Sequence, residues 1–126
     1  MLQGQLIGTK CTECRASNIN FLETYKIFDD SNEIVSMIYL RVFKESNSNF
    51  YSCSVTAVDN TYLYDENLKD LPPAEFFVKE KDHPGKTVFQ HNNFQTMQEA
   101  DQESLNLLGS AINWLTSRLG KPIELI

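Results

Sequence analysis

One long amphipathic helix near the end of the chain is its only extended helical pattern, and that constrains the fold more than any other feature. Thr96, Met97, Gln98 and Glu99 form a capping box, in which the threonine hydroxyl and the glutamate side chain each satisfy an otherwise orphaned backbone donor. Leu105, Leu108, Ile112, Leu115 and Leu119 then recur at spacings of three and four and predict one apolar stripe. Glu99, Asp101 and Glu103 lie near the positive end of the helix dipole, Arg118 and Lys121 near its negative end. Gly120 and Pro122 supply the stop. A lone helix of this kind needs a sheet on which to bury its stripe.

The segments before it read as strands. Phe21 to Phe28 is rich in aromatic and β-branched residues, and Asp29, Asp30, Ser31 and Asn32 form a turn cluster that makes a hairpin with Ile34 to Phe43. In that second strand both faces are largely apolar, which predicts a central strand covered on both sides. From Phe50 to Val58, Tyr51, Cys53, Val55 and Ala57 alternate with Ser52, Ser54 and Thr56, so the Cys53 side is expected to face inward. Two shorter candidates, Glu75 to Lys79 and Lys86 to Gln90, are joined by Asp82, His83, Pro84 and Gly85. Residues 1 to 20 lack clear periodicity and read as an irregular or short-strand entry, and 65 to 73, ending in Pro72 and Pro73, read as a surface loop. The expectation is an α+β fold over residues 1–126: a single domain with an antiparallel sheet of about five strands against one long C-terminal helix.

Hydrophobic residues make up 41% of the chain, enough for one core and outside the range of disordered sequences. The net charge of −6 repels a phosphate backbone and argues against nucleic-acid binding. With no leader pattern and no long apolar run, no membrane association is expected, and a cytoplasmic location is the default. An odd number of cysteines, three, argues for free thiols or a metal site over a disulfide framework.

Cys11 and Cys14 form a CxxC, the spacing at which two thiolates grip one tetrahedral zinc, but a second ligand pair at similar spacing is missing. Cys53, His83 and His91 complete such a site only if the fold gathers them. The pair therefore reads as two reduced cysteines, and no cofactor is called for. The two histidines sit in turn-like or strand-end contexts and read as solvated, and a nucleophilic pairing of Cys53 with His91 is the enzymatic alternative. The five glycines are scattered, so nothing cradles a nucleotide phosphate.

Two features exceed what a solvated small domain requires. From Ser104 to Ser117 the helix carries no charge, and Asn106, Gly109, Ser110, Asn113 and Ser117 leave its polar side small and uncharged. Asn106, Ser110, Asn113 and Ser117 are the expected seam if the chain forms a homodimer, as an acidic chaperone or adaptor would. The second feature is the acidic excess from Asp59 to Asp82, seven acids against three lysines, with tyrosines at its start. Tyr62, Tyr64, Asp65, Glu66 and Asp70 are the expected contact residues for a basic protein partner. In size, charge and architecture the chain is similar to small immunity proteins that inhibit toxins such as nucleases, and that similarity implies a non-catalytic binder.

Overall fold

The computed structural model describes residues 1–9, 19–44, 47–65 and 83–126, with side chains described throughout except at 7–9 and 19–22. Six strands, β1 (Leu2–Thr9), β2 (Ile19–Phe28), β3 (Ile34–Lys44), β4 (Tyr51–Val58), β5 (Lys86–Phe94) and β6 (Ile123–Leu125), form one sheet in the order β5-β4-β3-β2-β1-β6. A short helix, α1 (Asn60–Leu63), follows β4, and the long helix α2 (Met97–Leu119) precedes β6. Strands adjacent in the chain are antiparallel neighbours, whereas β6 returns from the helix to pair in parallel with β1. The fold is α+β as expected, with six strands among the described residues where about five were expected of the whole chain. The proposed strand over 75–79 lies outside the described residues.

The hairpin between β2 and β3 closes on the residues expected for it. Asn32 adopts the left-handed conformation at φ 62°, and the Asp29 carboxylate accepts the backbone N–H groups of Ser31 and Glu33. The register then aligns Ile38 with Ala57 on one side and Tyr25 on the other, and Leu40 with Val55 and Glu23. Ile38, Leu40, Val42, Cys53, Val55 and Ala57 form the sheet's half of the core, and α2 lies on them. The Cys53 side faces inward, as its alternation predicts. Its other side departs from the pattern: Ser52, Ser54 and Thr56 are as buried as Cys53, so β4 is withdrawn from solvent on both faces.

The α2 cap forms with one change from the expected box. The Thr96 hydroxyl oxygen accepts the Glu99 N–H at 3.1 Å, but the Glu99 carboxylate takes the threonine hydroxyl proton at 3.2 Å instead of a backbone donor. At the other end Gly120, at φ 71°, ends the helix in the left-handed region that favours glycine. The buried stripe is Ala100, Ser104, Leu107, Leu108, Ala111 and Leu115. Leu105, expected in the stripe, is 53% exposed. At 100° per residue it lies about a third of a turn from the stripe's centre, which small residues occupy because they let the helix backbone approach the sheet.

Candidate functional site

The β2–β3 turn, the end of β4 with α1, the start of β5 and the C-terminal end of α2 meet at one end of the sheet. Their junction is Asp59, the residue that ends β4 and caps α1. Its backbone N–H donates to the Gly85 carbonyl at 2.9 Å. One carboxylate oxygen accepts the backbone N–H groups of Thr61 at 2.9 Å and Tyr62 at 3.4 Å, and the other accepts the Arg118 Nε–H at 2.6 Å. The Arg118 guanidinium in turn lies 4.7 Å from the centre of the Trp114 ring. Asp59 is buried, so this carboxylate holds its charge among donors and not in water. Gly85 is glycine for space: a Cβ there would collide with the Asp59 carboxylate and come within 2.9 Å of the Tyr62 nitrogen.

His83 closes the same junction from the β5 side. The turn His83 to Lys86 brings the Gly85 N–H to His83 Nδ1 at 3.0 Å, while Nε2 stands 3.1 Å from an Asp65 carboxylate oxygen. A backbone N–H can only donate, so Nδ1 must be the acceptor and Nε2 must carry the proton. The Tyr62 ring stands edge-on to the imidazole at a centroid distance of 4.8 Å. The expectation of a solvated histidine is therefore corrected at His83, whose side chain is 11% exposed, since both ring nitrogens are used in holding the junction together. His91 does lie open to solvent.

Of the five expected contact residues the structure describes Tyr62, Tyr64 and Asp65, and it places them differently. Tyr62 is 3% exposed: the Asp59 cap turns α1 so that this ring packs inward against His83, which removes it from any outward contact set. Tyr64, one residue past α1, is 67% exposed, and its hydroxyl donates to the Ile34 carbonyl at 3.1 Å. Asp65 is half-buried on His83, while Glu66 and Asp70 lie outside the described residues. The Tyr64 hydrogen bond lands one residue from the β2–β3 turn, which carries exposed Asp30 and Glu33. Those two acids were not among the expected contact residues. Their acidity is visible in the sequence, but their place beside Tyr64 depends on pairing between segments thirty residues apart.

At the opposite end of the sheet the enzymatic alternative can be read directly. Cys53 and His91 are cross-strand partners, and His91 Nδ1 is 3.6 Å from a Glu103 carboxylate oxygen on α2. This order of thiol, imidazole and carboxylate is that of a nucleophilic site, but its electrostatics run the other way. Burial pushes the Cys53 thiol up, and Glu103 and Asp101 push it further in the same direction, with only a hydrogen bond from the His91 backbone opposing them. An active thiol needs a stabilised thiolate and access to solvent, whereas Cys53 is fully enclosed.

Cys11 and Cys14, the candidate metal pair, lie outside the described residues, among which no three His, Cys, Asp or Glu side chains gather as a metal site. No described helix is long and apolar enough to cross a membrane. Comparison with protein-family models, curated proteins and solved structures finds no match to this chain.

Proposed function

We propose that this chain is a non-catalytic binding protein whose acidic, tyrosine-bearing end docks on a basic protein, as a small immunity protein does on a toxin that attacks nucleic acid. The observation that carries this reading is Tyr64, an exposed ring whose hydroxyl is already tied to Ile34 beside the acidic Asp30 and Glu33 turn. A large side chain held in place before binding loses less rotamer entropy on contact, which is how tyrosines come to dominate interfaces. The net charge of −6 steers a cationic partner toward the chain.

The test separates encounter from lifetime. Asp65→Lys combined with Glu66→Lys should slow association with the captured partner most at low ionic strength, and adding Asp30→Lys and Glu33→Lys should slow it further. Tyr64→Ala should act on dissociation, at a cost of about 2 kcal/mol. Association that ignores all four charge reversals at low salt would refute the proposal.

A second reading rests on α2, where Asn106, Gly109, Ser110, Asn113 and Ser117 are all exposed next to the exposed Leu105. A face without charge suits a homodimeric adaptor. In that case sedimentation should show a dimer that Ser110→Lys shifts toward monomer.

A further inference from the structure

We infer that the face of the sheet turned away from α2 holds a site for a small carboxylate, with the Ser54 and Thr56 hydroxyls as its floor and Arg41 as its counter-charge. The floor is a piece of β4. Cys53, Val55 and Ala57 point into the core under α2, so by alternation Ser52, Ser54 and Thr56 point the other way. Ser54 and Thr56 are enclosed, and among the described residues neither hydroxyl has a hydrogen-bond partner. β4 is paired on both edges, with β3 and with β5, so these hydroxyls must find their partner above the sheet. A buried hydroxyl left unmet destabilises a fold, and two of them side by side on one strand need a common explanation.

The register builds walls beside this floor. Ser54 stands opposite Arg41 on β3 and Gln90 on β5, and Thr56 opposite Tyr39 and Val88, so small side chains run between larger ones. The shape is a trough along β4. Residues two apart on one strand face lie about 6.6 Å from each other, whereas a single water accepting from two hydroxyls spans at most about 5.4 Å. A carboxylate, with two oxygens side by side and several lone pairs, covers the longer distance and still accepts from a guanidinium. Arg41 supplies that group at the Ser54 end, its guanidinium held 4.2 Å from the centre of the Phe43 ring. Burial lowers the Arg41 pKa to about 10, so it is still a cation at neutral pH, one with little water around it to weaken its pull on an anion. The floor is enclosed while Val88 and Gln90 are exposed, which limits the guest to a few heavy atoms and puts its entry on the β5 side. The site is independent of the partner surface proposed above.

Formate and acetate are the probes, with sodium chloride at equal ionic strength as the control. Each carboxylate should raise the midpoint of urea unfolding, the folding equilibrium constant gaining about tenfold when the anion stands at about ten times its dissociation constant. Each should also shift the Ser54 and Thr56 amide signals in nitrogen NMR. Ser54→Ala combined with Thr56→Val removes both hydroxyls at nearly constant shape. Without ligand this variant should be more stable than the wild type, its folding constant higher by roughly tenfold, and carboxylates should no longer stabilise it beyond chloride. A merely structural role for the hydroxyls predicts the reverse, a variant of lower stability, and that result would overturn the site. So would a wild type that formate and acetate stabilise no more than chloride does, or a stabilisation that persists undiminished in the variant.

Discussion

Asp59 holds five hydrogen bonds, three through its carboxylate, one through its own N–H and one through its carbonyl, and they tie together two helices and two strands. Removing the carboxylate takes away the α1 cap, worth about 1 kcal/mol, and a charge-assisted bond worth about 1.5 to 3. Asp59→Ala should therefore destabilise the fold by roughly 2.5 to 4 kcal/mol, read by urea denaturation. Arg118→Ala should cost less, about 1 kcal/mol or under, because its side chain is 37% exposed and water takes over part of the role. In the sequence Asp59 is one of seven acids in a run and marks no more than a break after a strand. Its importance is set by residues 26 and 59 positions away, which no local pattern reports. Tyr62 is misjudged for the same reason: tyrosine beside carboxylates suits an interface and a capped turn equally well, and only the direction of α1 decides between them.

Element identity was more readable than residue role, because periodicity and caps are local. Thr96, Glu99, Gly120 and Pro122 place both ends of α2, and the strands from Ile19, Ile34, Tyr51 and Lys86 follow runs of apolar and β-branched residues. The last strand escaped, and the first showed only as an irregular or short-strand entry. Gly4 and Gly8 dilute the alternation of β1, and β6 is three residues long, formed where the Leu2 N–H meets the Pro122 carbonyl and the Ile126 N–H meets the Gly4 carbonyl. The face of α2 was also misread by part of a turn, since a reading that weights leucines overlooks Ala100, Ser104 and Ala111 as the line of closest approach. Two truncations check the corrected face. Leu115→Ala, at a site without solvent access, should cost about 2 to 5 kcal/mol. Leu105→Ala should stay within about 0.5 kcal/mol in the monomer. Comparable losses at both positions would restore the leucine-centred stripe.

Charge acts across the molecule, from Asp101 on α2 to Glu23 on β2. At the end away from Asp59, burial and the neighbouring Asp101 both raise the Glu23 carboxyl above its ordinary value. A carboxyl raised in the folded state favours folding while protonated and loses that contribution as pH rises through its folded value. Glu23→Gln should thus raise stability at neutral pH, by roughly 0.5 kcal/mol for a partly exposed group, and the gain should vanish in acid as wild-type Glu23 also becomes neutral. Thermal unfolding of both proteins across acidic pH reads this directly. The topology has a mechanical consequence as well. Among the described residues β1 through β5 pair in chain order, and β1 also runs in parallel with β6, joined by three register pairs from Leu2 with Ile123 to Gly4 with Leu125. Tension between Met1 and Ile126 pulls the start of one strand against the end of the other. The pair must then slide lengthwise, loading its hydrogen bonds together and not one after another, so this short seam bears the first load when the chain is stretched.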